Sequence, residues 1–123
     1  MSASKDIRDY VISGNDSIKD AVQVIQQNSS RCAIVENKEG KVIGIFSEGD
    51  VLRSLLNETN LYTPLRSVIT PQFLYMHAYD ADEAFGIFKK YGVSLIPIVD
   101  ADFKLTDVIT LLDFLTLLSI DKE

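Results

Sequence analysis

Apolar residues in the first half of the chain fall into two kinds of pattern. Short apolar runs bounded by turn residues predict β-strands. After Ser17, the apolar residues Ile18, Ala21, Val22 and Ile25 recur at helical spacing, and Ser17 is suited to cap that helix. The pattern therefore predicts a strand at 11–13, a helix from 17, strands at 32–35 and 42–46 joined by a turn at 37–40, and a helix from 47 that carries Val51, Leu52, Leu55 and Leu56.

The second half of the chain repeats this order. Asp80 is predicted to start a helix with Glu83 three residues later in a capping-box arrangement, and Gly92 suits the left-handed position at the helix end. The predicted apolar face of this helix consists of Ala84, Phe85, Ile87 and Phe88. The other predicted elements are strands at 73–76, 95–99 and 105–109, a turn at 100–103 and a final helix at 111–118.

The two halves align without a gap from Val11 to Leu56 when one is shifted by 63 residues. Residues 44–50 (GIFSEGD) and 107–113 (DVITLLD) share apolar positions, a hydroxyl side chain and an aspartate that leads into an apolar helix. The sequence therefore predicts an α/β fold of two pseudo-symmetric βαββα units, within residues 1–60 and 61–123. The connection at 57–71 holds a predicted helical turn and no Gly/Ser-rich linker, so we expect the units to pack as one module.

The composition narrows the functional classes. A chain of 123 residues with 46% hydrophobic and 24% charged residues is typical of one globular domain. A net charge of −6 argues against a nucleic-acid surface, although a local basic pocket for a small anion remains compatible with it. No apolar run approaches the roughly 20 residues of a membrane span, and the single Cys32 excludes an internal disulfide. These features predict a cytoplasmic protein without nucleic-acid or membrane partners.

Residues 44–51 (GIFSEGDV), 93–100 (VSLIPIVD) and 108–113 (VITLLD) resemble the motifs of a tandem pair of cystathionine-β-synthase (CBS) domains, called a Bateman module. Residues 47–53 (SEGDVLR) also resemble the motif of CBS pairs attached to sugar-nucleotide transferases. The resemblance implies that an adenosine-containing ligand (AMP, ADP, ATP or S-adenosylmethionine) binds in the cleft between the units and regulates a linked or partner protein. It further implies no catalysis, no required cofactor and a homodimer shaped like a flat disc.

Ser47 and Asp50 are the first candidate ligand-binding pair. A strand that ends at Ser47 and continues into a helix presents backbone N–H groups and a positive helix end to a phosphate. An ionised Asp50 can accept hydrogen bonds from both ribose hydroxyls. Thr110 and Asp113 repeat the arrangement in the second unit. A plain helix cap explains either pair equally well, so both interpretations stay open at this point.

Three further residues are candidates through the same resemblance. Arg31 begins the central strand of the first unit and Ser94 is its counterpart, a position that can reach phosphate in the family. Arg53 follows Asp50 by one helical turn, where it would contact a phosphate or simply pair with Asp50. The second motif carries Asp107 where the first carries Gly44, and a carboxylate there would repel a phosphate or obstruct the cleft. We therefore rank the Ser47/Asp50 site above the Thr110/Asp113 site.

No set of residues suggests catalysis or a structural metal. Acidic residues at 80, 82 and 83 are explained by the start of a helix, and the only histidine, His77, has no partner in sequence range. Apolar faces on the second and last helices favour a dimer, through Leu52, Leu55 and Leu56 and through Leu115, Leu117 and Leu118. The alternative function is a dimerisation or docking module without a ligand. The start of the chain just before the first predicted strand would suit a fragment, or a small protein that acts on a partner.

Overall fold

The structure is a computed structural model that describes residues 6–28 and 30–121. Apart from the strand predicted at 73–76, it confirms the α/β fold and the predicted order of elements. These are a 3₁₀ turn Ile7–Tyr10, β1 Val11–Ser13, α1 Ile18–Gln27, β2 Cys32–Glu36, β3 Val42–Ser47, α2 Glu48–Leu56, a 3₁₀ turn Leu65–Ser67, α3 Ala81–Tyr91, β4 Leu95–Val99, β5 Leu105–Thr110 and α4 Leu111–Asp121.

The register of the antiparallel hairpin in each unit reproduces the 63-residue repeat residue by residue. In the first unit β2 lies between β1, which is parallel to it, and β3, which is antiparallel. In the second unit β4 pairs with β5 in the same antiparallel register, so Cys32 opposite Ser47 corresponds to Leu95 opposite Thr110. Even the irregularity in the ladder recurs, after Val35 in one unit and after Ile98 in the other. The repeat is therefore a repeat of three-dimensional structure.

The hairpin turns of the two units also match. The side chains of Asn37 and Asp100 each accept hydrogen bonds from two backbone amides of their own turn. Gly40 takes a left-handed conformation with φ of 79°, and its counterpart Phe103 takes the same conformation with φ of 62°. A phenylalanine is strained there, but its ring packs against Tyr75 at a centroid distance of 5.0 Å.

The predicted strand at 73–76 is wrong, because only Met76 joins the sheet. Met76 donates to the carbonyl of Pro97 (3.0 Å) and accepts from the N–H of Val99 (2.9 Å), as an isolated parallel bridge opposite Ile98. In a parallel ladder the next bond back would require an N–H at Pro97, and proline has none. The chain before Met76 therefore leaves the sheet, and this leaves Phe73 beside the cleft described below.

The helices begin as predicted but differ in their faces. Ser17 and Asp20 form a complete capping box at the start of α1. At α3 only half of the predicted capping box is present between the described residues Asp80 and Glu83, in which Asp80 accepts from the N–H of Glu83 at 2.9 Å. Gly92 ends α3 in the left-handed conformation, with φ of 64°. Two side chains assigned to apolar faces are less buried than expected. Val22 is only half-buried in α1, and Phe85 is exposed on α3.

The two units share a hydrophobic cluster. It combines Ile34 and Val42 of the first unit with Leu95, Val99 and Val108 of the second, and each of these five is almost fully buried. The backbone joins the units as well, because the N–H of residue 42 donates to the carbonyl of residue 103 at 2.8 Å. This shared core confirms that the units pack as one module. Within the described part of the chain, no helix combines the length and apolar character needed to cross a membrane.

The connection between the units is packed onto the first one. Its 3₁₀ turn confirms the predicted helical turn, and Leu65 inserts fully into the core of the first unit. The N–H of Leu65 donates to the carbonyl of Asp16 at 2.8 Å, and Arg66 N–H donates to the carbonyl of Gly14 at 2.9 Å. The connection therefore acts as a part of the first unit and not as a tether.

Candidate functional site

A cleft of about 720 Å³ opens between the two units. Its size is in the range that suits a nucleotide-sized ligand. Four separate segments form its walls, and both units contribute. The lining residues are Ser30, Arg31 and Cys32 before and in β2, Ile45, Ser47, Glu48, Gly49 and Asp50 at the β3–α2 junction, Gln72, Phe73 and Leu74 just after the connection, and Gly92, Val93, Ser94 and Leu95 at the start of β4.

Ser47 and Asp50 line this cleft and also form the helix cap. The Ser47 hydroxyl accepts from the N–H of Asp50 at 3.3 Å. Asp50 Oδ2 in turn accepts from the N–H of Ser47 at 2.8 Å and from its hydroxyl at 3.0 Å. The capping interpretation is therefore correct for this pair. It does not exclude a ligand, because an ionised carboxylate has about four acceptor positions, and the cap at Oδ2 and the Arg53 contact at Oδ1 together use three of them.

Arg31 lies at the rim of the cleft. It adopts a left-handed backbone with φ of 57°, which is uncommon for a residue with a side chain. Its carbonyl accepts from the N–H of Glu48 at 3.1 Å, and its Nη1 lies 3.9 Å from Glu48 Oε1. The Arg31 side chain is 75% exposed, so the guanidinium can turn toward a ligand at the mouth of the cleft.

Ser94 joins the two units across the floor of the cleft. Its hydroxyl donates to the carbonyl of Ser30 and lies 3.2 Å from the sulfur of Cys32. Arg53, by contrast, does not line the cleft. Its guanidinium contacts the Asp50 carboxylate as a helical i,i+3 pair and is largely exposed, so the helix-pair interpretation describes it.

Thr110 and Asp113 form a cap of the same kind away from this cleft. Asp113 N–H donates to Thr110 Oγ1 at 3.0 Å, and Thr110 N–H approaches Asp113 Oδ2 at 3.4 Å. Thr110 is only 4% exposed, whereas its counterpart Ser47 is half-buried and lines the cleft. The structure thus separates the two predicted pairs.

The side chains beside Thr110 and Asp113 are buried, whereas the equivalent side chains beside Ser47 and Asp50 line the open cleft. Phe73 and Ile45 line the cleft, and the residues 63 positions away from them are Tyr10 and Val108. Tyr10 is only 8% exposed and Val108 is fully buried, both in the cluster shared by the units. The segment that carries Tyr10 is anchored by Arg8, whose guanidinium makes two 2.9 Å hydrogen bonds to the Glu36 carboxylate. Packing therefore fills the place that is open beside Ser47.

The expected obstruction by Asp107 does not occur. Asp107 is exposed, and its Oδ1 accepts from the neighbouring Val108 N–H at 2.8 Å. Gly44, its counterpart, lines no part of the cleft and is buried against the connection. A Cβ at Gly44 would lie 3.1 Å from Ile69 Cδ1 and 3.3 Å from the carbonyl oxygen of Thr70. Packing against the connection therefore explains the glycine at this position.

Several lining residues were missed from the sequence, above all Cys32, Glu48 and Phe73. The repeat offers a signal for one of them, because Cys32 and Leu95 are equivalent first residues of β2 and β4, next to the candidate positions Arg31 and Ser94. Burial is the main cause that raises the pKa of the Cys32 thiol, and the carboxylates of Asp50 and Glu48 raise it further against the lowering effect of the hydrogen bond with Ser94.

This raised pKa predicts slow alkylation of Cys32. A higher pKa lowers the thiolate fraction at a given pH, and only the thiolate reacts. At pH 8 we expect iodoacetamide to modify Cys32 several times more slowly than an exposed thiol, with the rise in rate displaced to higher pH. The matched control is Cys32→Ser combined with Lys38→Cys, which places the only thiol on an exposed turn. Equal rates and equal pH profiles in mass spectrometry would contradict the prediction.

Comparison with known proteins identifies a family model and curated relatives. The family model described as CBS domain matches residues 5–57 and 66–120. The chain is 34% identical over 118 residues to the A-adding tRNA nucleotidyltransferase of Aquifex aeolicus (strain VF5), which covers 93% of this chain and 14% of that protein. It is 30% identical over 99 residues to the arabinose 5-phosphate isomerase GutQ of Salmonella typhi, which covers 80% of this chain and 31% of that protein. The chain therefore spans less than a third of either relative.

Solved structures share the fold over almost the whole chain. The structure of CBSX2 in complex with AMP superposes with a TM-score of 0.76 and 20% identity, over 92% of this chain and 89% of that one. The CBS domain pair of protein MJ0100 in complex with 5′-methylthioadenosine and S-adenosyl-L-methionine gives a TM-score of 0.74 and 20% identity, over 98% and 93%. At these identities the likeness establishes the fold alone.

Proposed function

Because the chain belongs to the CBS-domain family, we propose that it is a regulatory module that binds an adenosine-containing ligand in the cleft between its units. The observation that carries this proposal is the open cleft of about 720 Å³ with Ser47 and Asp50 in its wall. The candidate ligands are AMP, ADP, ATP and S-adenosylmethionine, and two proteins of the same fold are solved with AMP or with S-adenosyl-L-methionine and 5′-methylthioadenosine.

The chemistry of the lining suggests a role for each wall. Ile45 and Leu74 offer apolar surface for an adenine ring. Asp50 would accept a hydrogen bond from a ribose hydroxyl at Oδ1, which contacts Arg53 and keeps one further acceptor position. Arg31 at the rim would meet a polar or anionic 5′ substituent, and Ser94 would help to fix the floor.

Ligand binding would change the arrangement of the two units relative to each other, and the module would transmit this change. The cleft has walls from both units, so a ligand bridges them and favours the arrangement to which it binds better. This bias would reach a linked or partner effector protein, with a homodimer of modules as the assembly and the cytoplasm as its compartment. The association with sugar-nucleotide transferases stays a prediction.

Removing the Asp50 carboxylate is the direct test. In Asp50→Ala we expect affinity for the adenosine ligand to fall about ten- to a hundredfold, since a hydrogen bond to a charged group contributes about 1.5–3 kcal/mol. Calorimetric titration with AMP, ADP, ATP and S-adenosylmethionine measures it, and the stoichiometry should be one ligand per chain because Tyr10 and Val108 fill the equivalent of the cleft beside Thr110.

The matched control is Asp20→Ala. Asp20 forms the same capping box with Ser17 at the start of α1, and neither residue lines the cleft. Both variants should lose a similar cap contribution of about 1 kcal/mol, but only Asp50→Ala should lose ligand. Unchanged affinity in Asp50→Ala, or an equal loss in both variants, would contradict the proposed site.

A docking module without a ligand is the second candidate function. The exposed leucines of α2 and α4 favour it, because they offer an apolar surface whether or not the cleft is occupied. A concentration-dependent dimer whose melting temperature is unchanged by all four candidate ligands would support this function and exclude the first one.

A further inference from the structure

The charged side chains around the cleft indicate which ligand charge the cleft prefers, a rule for ligand charge that rests on the proposed function. Among the described lining residues, the cation is Arg31 and the anions are Glu48 and Asp50. Arg31 already faces Glu48, with 3.9 Å between Nη1 and Oε1. Arg53 lies outside the lining and contacts the Asp50 carboxylate. Each of these two arginines therefore lies close to a carboxylate that offsets its positive charge.

The negative field reaches the floor of the cleft. Asp50 and Glu48 both act on the Cys32 thiol, and both favour its neutral form. A phosphate group on a ligand would meet the same field, and each added phosphate brings at least about one further negative charge. Proteins that hold polyphosphates surround them with several Lys or Arg side chains, and the described lining of this cleft provides Arg31 alone.

From this we propose that the cleft selects adenosine derivatives whose 5′ substituent is neutral or cationic, such as a thioether or a sulfonium, over ADP and ATP. Glu48 is the specificity-determining residue. The Glu48 carboxylate pairs with Arg31 when the ligand has no phosphate, and it attracts a cationic 5′ substituent. AMP, which carries about two negative charges near neutral pH, should bind between the two groups.

The test compares four ligands in calorimetry: S-adenosylmethionine, 5′-methylthioadenosine, AMP and ATP. In the unmodified protein we expect the first two to bind at least about tenfold more tightly than ATP at low salt, and we expect the ratio to shrink at high salt. In Glu48→Lys the affinity for S-adenosylmethionine relative to that for ATP should fall at least about tenfold. ATP would meet an additional cation in the cleft, and S-adenosylmethionine would no longer meet the carboxylate. Glu48→Gln should give an intermediate ratio.

The control variant is Glu39→Lys, which makes the same charge change on an exposed turn outside the cleft. It should leave the ratio unchanged, and circular dichroism confirms that each variant is folded. A preference for ATP in the unmodified protein, or a ratio that Glu48→Lys does not alter, would overturn the charge rule while the proposed function stands. No binding by any of the four ligands would overturn the proposed function, and the charge rule with it.

Discussion

Replacing Gly44 with aspartate, the residue at the equivalent position of the second unit, is expected to lower the free energy of unfolding by about 3 kcal/mol or more. Gly44 is buried beneath the connection, and a side chain there would first meet Ile69 and the carbonyl oxygen of Thr70. A carboxylate in that place would be desolvated and would face an oxygen that cannot donate to it. Chemical denaturation followed by circular dichroism measures the loss.

Two further glycine variants separate size from charge. Gly44→Ala adds only the crowded Cβ and should cost about 1–2 kcal/mol. Gly86→Asp introduces the same carboxylate on an exposed helical position where a Cβ meets nothing within 4 Å. It should change stability by less than about 1 kcal/mol, because aspartate is no worse than glycine in a helix. A Gly44→Asp protein as stable as Gly86→Asp would show that the connection does not cover Gly44.

The contrast between Gly44 and Asp107 shows what a repeat predicts and what it does not. The offset of 63 residues predicted equivalent strand positions, and the sheet register confirms them. It could not predict what packs over each position. Residues 69 and 70 cover Gly44, whereas Asp107 is exposed. Local sequence therefore specified the units well, and the surroundings of equivalent residues depended on contacts between distant segments.

The same reason explains why the site was only partly predicted. Ser47, Asp50, Arg31 and Ser94 converge on one cleft, but Arg53 lies outside it. Thr110 and Asp113 lie away from the cleft. The residues equivalent to Phe73 and Ile45 are buried beside them, and no pattern within either motif shows this. Glu48 was missed because it occupies a variable position of the motif, where only the fold brings its carboxylate toward Arg31.

Proline at 97 is a case where a local rule would have corrected the prediction. The apolar run at 73–76 was read as a strand equivalent to β1, but the partner strand lacks the N–H that the pairing needs. The consequence is functional, since Phe73 and Leu74 stay outside the sheet and line the cleft. Because Pro97 lacks an amide hydrogen, the segment that corresponds to the edge strand β1 forms a wall of the cleft in the second unit.

The second large effect is expected at the leucines of α2 and α4. Leu52 is 58% exposed and its counterpart Leu115 is 52% exposed, and further leucines on both helices are exposed, namely Leu55, Leu56, Leu112 and Leu117. The side chain of Leu118, which was assigned to the same face, lies outside the described residues. Leu52 and Leu115 are equivalent positions of equivalent helices, and an exposed apolar surface of this kind suits a two-fold interface, in which the same surface of each chain meets its copy. We therefore predict that these helices carry the homodimer.

Leu52→Lys combined with Leu115→Lys should raise the dimer dissociation constant at least about a hundredfold, because each dimer would bury four lysines in place of four leucines. Sedimentation equilibrium over a range of concentrations measures this constant. Tyr62→Lys is the matched control, since Tyr62 is an exposed large side chain on the connection and belongs to neither helix. The leucines are already half exposed within one chain, so the folded monomer should keep its stability and its ligand affinity. A monomeric unmodified protein at high concentration, or a lysine variant that dimerises as tightly as the Tyr62→Lys control, would contradict the predicted interface.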